Sequence, residues 1–228
     1  MSLVERLREW AHGHTRRDVY SPVGQTFHWL MAFLVIFQIW WGWRIGRLPV
    51  GADKLEAYQL HSQSGVLLLV LILLRALWRL MIPGPVNDAD KPGWQSTAAH
   101  ITHYVLYFLM IALPISGWAM WSAMASEQPL AVAGALPWPQ LPLGDLPSRT
   151  RWRIMEAAEI VHLLLVWSLL ITLAAHVGAS LKHHFIDRDD VLAAMVPFLK
   201  PLSGPRASGS TETQGRRSGV RPPGSPAA

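Results

Sequence analysis

The chain has 228 residues, 51% of them hydrophobic and 15% charged, with a formal net charge of +5 and no cysteine. The absence of cysteine excludes disulfides, iron–sulfur clusters, thiolate metal sites and covalent haem attachment through a C-x-x-C-H motif. The charged share is below that of a soluble domain, and the charges crowd into residues 1–20, short loops and the tail. Basic residues so placed speak for membrane topology and anionic headgroups rather than for nucleic acid.

Residues 1–20 form a polar segment that holds His12 and His14, read as solvent-facing. No small-residue cleavage site follows the first apolar run, so the expectation is insertion by the first helix acting as its own signal. Four runs then reach the roughly 20 apolar residues that a helix needs to cross a bilayer. They lie at about 26–44, 60–82, 100–122 and 156–181. Trp40, Trp41, Trp43, Trp78, Trp94, Trp118, Trp121 and Trp152 stand near run ends, where an indole has both an apolar neighbour and a wet hydrogen-bond partner. Pro114 lies inside the third run, a position tolerated in lipid as a kink.

The second and third runs are joined by IPGPVNDADKPG, a turn-rich stretch, and the third and fourth by a longer loop at about 123–153, rich in Pro, Leu and Gly. Beyond residue 198 the chain turns Gly-, Ser-, Pro- and Arg-rich, a composition that cannot bury a core and predicts disorder. The organisation expected is thus a segment 1–20, a bundle 21–198 and a tail 199–228. Fourteen Lys and Arg fall on the side of the N-terminal segment, the 75–91 connection and the tail, against six on the other. That bias puts both termini in the cytoplasm. The fold class expected is all-α: an integral membrane four-helix bundle.

Ionisable residues within spans are costly and mark function by default. His28 opens the first span and His176 lies late in the fourth, both near the cytoplasmic face. His61 opens the second and His162 lies early in the fourth, both near the outer face. Depth therefore pairs His28 with His176 and His61 with His162. From His162 to His176, fourteen residues advance about 21 Å and turn about 1400°, within about 40° of four full turns. Both imidazoles leave the fourth helix on one side at opposite depths, too far apart for one metal ion, whose nitrogen ligands lie about 2 Å away. Two haem centres, each clamped by a pair of His from facing helices, satisfy this spacing.

His100 and His103, in AHITHY, lie at the depth of His28 and His176. One of them is a rival ligand; otherwise they suit a quinone or propionate contact. His183 and His184 follow the fourth span at the headgroups. Arg75, Arg79 and Lys182 are candidate propionate partners for the cytoplasmic centre, and Lys54, Arg149, Arg151 and Arg153 for the outer one. Gly42, Gly65, Gly117 and Gly178 allow close approach of a helix or a flat ring.

Four stretches carry a resemblance: YSPVGQTFHWLMAFLV, LHSQSGVLLLVLILLRALWRL, AHITHYVLYFLMIALPISGW and IVHLLLVWSLLITLAAHVGASLKHHFIDRDDVLAAMVP. Over about 18–197 the chain resembles the prokaryotic cytochrome b561 family, the last stretch being the most specific and the first shared with b-type subunits of nickel hydrogenases. The resemblance implies a bacterial inner-membrane protein with two haems b. Their ligands fall on His28, His61, His162 and His176, and electrons are exchanged with ubiquinone. Some members are similar to superoxide oxidases, which would make superoxide a substrate and the chain an oxidoreductase. The other functions weighed are an electron-carrying anchor for a hydrogenase or dehydrogenase partner protein, and a non-redox transporter.

Overall fold

The computed structural model describes residues 5–7, 9, 20–82, 93–124, 130–196 and 198–199. Most of the N-terminal segment with His12 and His14, the stretch 83–92 with Lys91, and the tail from 200 lie outside the described residues. Four long helices dominate: α1 (Pro22–Ile45), α2 (Ala52–Met81), α3 (Gly93–Ala123) and α4 (Ser148–Lys182). All four are long and apolar enough to cross a membrane, so the chain is a multi-pass membrane protein of all-α class with a helical bundle at its centre.

The helices are longer than their apolar runs. α2 begins at Ala52 rather than 60, α3 at Gly93 rather than 100 and α4 at Ser148 rather than 156. Hydropathy locates the hydrocarbon-spanning part, whereas intrahelical hydrogen bonding continues into the wet interface. α1 starts where local chemistry dictates: Ser21 Oγ accepts from Gly24 N at 3.2 Å, and Pro22 occupies the first turn, where its missing N–H costs nothing. α3 is helical straight through Pro114.

α1 packs on α2, α2 on α3 and α3 on α4, while the α1 and α4 backbones are not in extensive contact. Large apolar side chains such as Phe33, Ile36, Phe108, Leu164 and Ile171 are exposed and form the lipid-facing surface. The central core is Met31, Val35, Leu68, Leu69, Ile72, Leu106, Leu109 and Leu169. Lipid tails are as apolar as leucine, so this core holds by van der Waals fit more than by exclusion of water. Leu169 is the one residue of α4 that is buried. It stands seven residues, about 10.5 Å, from both His162 and His176. Val35 is seven residues past His28 and Leu68 seven past His61, so one apolar layer lies between the two histidine levels.

The Pro-, Leu- and Gly-rich loop between α3 and α4 holds a hairpin. β1 (Leu130–Val132) pairs antiparallel with β2 (Leu136–Trp138), with Leu130 opposite Trp138. Ala133 and Gly134 take positive φ in its turn, the backbone twist that suits a tight hairpin. Leu130, Trp121 and Val66 form a second buried cluster beneath it. Trp118 Nε1 donates to the Pro139 carbonyl at 2.8 Å, and Leu141 N to Ser122 Oγ at 3.0 Å. The loop is thus folded down on α2 and α3.

At the opposite end α4 passes into a π-helical turn, His183–Asp187, closed by Arg188 in the left-handed region. The chain then returns beneath α1, where Gln25 Nε2 donates to the Ala194 carbonyl at 3.0 Å and Trp29 Nε1 to that of Met195 at 2.8 Å.

Candidate haem-binding sites

The two pairs expected from depth are brought together. The rings of His28 on α1 and His176 on α4 have centroids 6.3 Å apart, and those of His61 on α2 and His162 on α4 are also 6.3 Å apart. Two imidazoles on opposite sides of one metal, each with a bond of about 2.0–2.1 Å and a ring centre about 1.1 Å further, have centroids about 6.2–6.4 Å apart. Both pairs fit that separation. Direct stacking is excluded by the angles between ring planes, 55° and 71°. The fit of the residues to a bis-histidine haem is therefore met at both levels.

The outer pair is seated on glycines. A Cβ at Gly42 of α1 would lie 3.4 Å from His61 Cε1, and one at Gly117 of α3 would lie 3.6 Å from His162 Cε1. Each imidazole thus rests an edge on a neighbouring helix backbone. Ser116 Oγ lies 2.8 Å from His162 Nδ1, while His61 Nδ1 is buried without a hydrogen bond. Gln38 Nε2 donates to the His61 carbonyl at 3.0 Å and passes close to Gly65, where a Cβ would meet it at 3.0 Å. Gly65→Ala should push the amide off that carbonyl and cost about 0.5–1.5 kcal/mol, the worth of one hydrogen bond. The thermal midpoint in detergent reads this, and an unchanged midpoint would refute it.

The inner pair has company. His103 of α3 stands edge-on to His176 with centroids 5.6 Å apart, closer than His28. Arg75 Nε donates to Tyr107 Oη at 3.3 Å, and the Arg79 guanidinium lies 5.4 Å from the centre of the Tyr20 ring. His100 turns back on its own helix, with Nδ1 2.8 Å from the Ser96 carbonyl. Lys182 is held by Asp187 at 2.6 Å, and His183 Nδ1 lies 3.1 Å from Asp187 and 2.8 Å from Asp189. Lys182 is therefore spoken for by the turn that follows α4. At the outer end Lys54 donates to the Leu48 carbonyl at 3.2 Å, Arg149 and Arg153 are exposed, and Arg151 Nε is buried without a hydrogen bond. Gly178 has open space before it.

Ser116, Tyr107 and Gln38 escaped the sequence reading. Their partners lie 46, 32 and 23 residues away, a distance that leaves no local pattern. The available signal was polarity itself, since a Ser or Gln inside an apolar span wants a partner.

A membrane bundle with paired imidazoles at two depths is the build of a b-type membrane cytochrome. The family model for prokaryotic cytochrome b561 matches residues 19–198, and the chain belongs to that family. It is 31% identical over 180 residues to cytochrome b561 homolog 2 of Escherichia coli, covering 78% of this chain and 90% of the relative. It is 29% identical to the probable superoxide oxidase CybB of Yersinia pestis, covering 78% and 96%. To cytochrome b561 homolog 1 of Escherichia coli it is again 29% identical, covering 68% and 84%. The family binds haem b, and this chain is an electron-transferring membrane cytochrome b.

Proposed function

We propose that the chain holds two haems b, one between His28 and His176 and one between His61 and His162, and passes electrons from an outer-side donor to ubiquinone. The observation that carries this is the equal 6.3 Å separation of two histidine pairs at opposite ends of one bundle. Each haem supplies a one-electron iron couple when bound. The charge bias and the prokaryotic family support an inner-membrane setting with both termini in the cytoplasm.

The similarity to a probable superoxide oxidase supports superoxide as donor. Arg149, Arg151 and Arg153 at the start of α4 raise the local concentration of a small anion. The hairpin packs on Val66 of α2 and Trp121 of α3 at the outer end of the bundle. The stoichiometry closes with two superoxide anions releasing two electrons as two dioxygen, and ubiquinone taking two electrons and two protons to give ubiquinol. At the inner level Arg75, held on Tyr107, and His103 beside His176 supply the polar contacts for haem propionates or a quinone carbonyl.

Rapid mixing of the oxidised, haem-loaded protein with superoxide should reduce the haem faster than spontaneous dismutation removes the radical. Added ubiquinone should reoxidise it. A haem-reduction rate indistinguishable from that of a boiled control would refute the superoxide assignment. A dithionite-reduced spectrum without a sharp b-type band would refute haem binding itself.

A further inference from the structure

Ser116 is buried, at 7% exposure, in the outer half of α3, and its Oγ makes two contacts at the same distance. One is 2.8 Å to the Leu113 carbonyl, and the other is 2.8 Å to His162 Nδ1. A hydroxyl has a single hydrogen, and a carbonyl can only accept. The hydrogen therefore goes to Leu113, and the Ser116 oxygen accepts from His162, which places the imidazole proton on Nδ1. This is the one assignment that satisfies both contacts. It leaves Nε2 unprotonated, the form a metal ligand needs. Gly117, next in the chain, lets the ring edge lie on the α3 backbone. Ser116, together with the Leu113 carbonyl that also faces the His162 ring N–H, sets the tautomer, and Gly117 sets the tilt of the ring.

The partner ring is built differently. His61 also rests against a glycine, Gly42, but its Nδ1 is buried with no acceptor. One ligand of the outer pair is thus tied and the other is not.

We infer that Ser116 is a positioning residue that tunes the outer centre through His162, an inference that rests on the two-haem reading above. An acceptor on the far nitrogen makes an imidazole a stronger donor to its metal. A stronger donor favours the oxidised iron and lowers the potential. The outer centre is therefore poised to give its electron away rather than keep it.

The test is made in the His176→Leu background, so that only the outer pigment titrates. Ser116→Ala should raise its midpoint so that the electron partition changes about threefold to tenfold, tenfold being about 59 mV for a one-electron couple. Ser116→Thr, which keeps the hydroxyl, should restore the parent value. Loss of the pigment in Ser116→Ala with its return in Ser116→Thr would support the same role. Pigment loss in both variants, or a fully loaded Ser116→Ala protein with an unchanged midpoint, would overturn it. Absence of pigment in the His176→Leu parent, with Ser116 intact, would count instead against the two-haem reading.

Discussion

Replacing His162 or His176 with leucine should remove one haem and spare the other, taking the pyridine haemochrome count from about two per chain to about one. The expectation follows from the proposed assignment, in which α4 would carry one ligand of each pair. Leucine fills the space of the ring and cannot bind iron, and each pair has its own partner helix, α2 for His162 and α1 for His176. The two losses should be independent because about 21 Å of helix separates the residues. The four ligands should not be equal, however. His28→Leu leaves His103 within 5.6 Å of His176, so a shifted inner pigment should survive in part and vanish only in the His28→Leu, His103→Leu double variant. His61→Leu has no such neighbour among the described residues and should abolish the outer pigment outright. Retention of both pigments with unaltered spectra in His162→Leu would overturn the pairing.

The second large effect is expected at Leu169. Leu169→Asp puts a carboxylate at mid-membrane depth among Val35, Leu68 and Leu109. An acidic residue at the centre of a span costs about 2.5–3.5 kcal/mol. Loss of the packed side chain alone, as in Leu169→Ala, costs about 2–5 kcal/mol when the cavity cannot collapse. Ile171, two residues on, is 70% exposed towards lipid, and Ile171→Ala should change little. Unfolding of the haem-loaded protein in mixed detergent micelles, followed by the Soret band, ranks the three variants. Equal loss at 169 and 171 would show that Leu169 is not a packing residue.

Much of this was legible in the letters. The four spans stand out because hydrocarbon tolerates few charges, and the histidine pairs because helical rise and rotation fix depth and face. His162 and His176 carried that geometry on their own helix. The helix ends at Ala52, Gly93 and Ser148 were not legible, because hydropathy stops at the interface and hydrogen bonding does not. Leu130–Val132 and Leu136–Trp138 were hidden for another reason. Pro137 and Ala133 are poor strand and turn residues, and the pairing is held by burial against Trp121 and Val66. Lys182 reads as a candidate propionate partner because its acceptor, Asp187, comes within reach through the π-helical turn. The Ser116 contact joins α3 to α4 and depends on how two helices meet, which no span of either one encodes.

The belt formed by Val35, Leu68 and Leu169 treats two kinds of charge differently. Electrons tunnel through packed hydrocarbon, whereas protons need a relay of water or polar groups, and a tight aliphatic layer offers neither. In the proposed two-haem arrangement the bundle is a wire for one carrier and an insulator for the other. In the proposed orientation an electron moving inward opposes an inside-negative voltage, at about 2.3 kcal/mol per 100 mV for a full crossing. A leaky belt would let protons follow and dissipate the ion gradient, so the aliphatic filling protects the cell's energy store while the redox traffic continues.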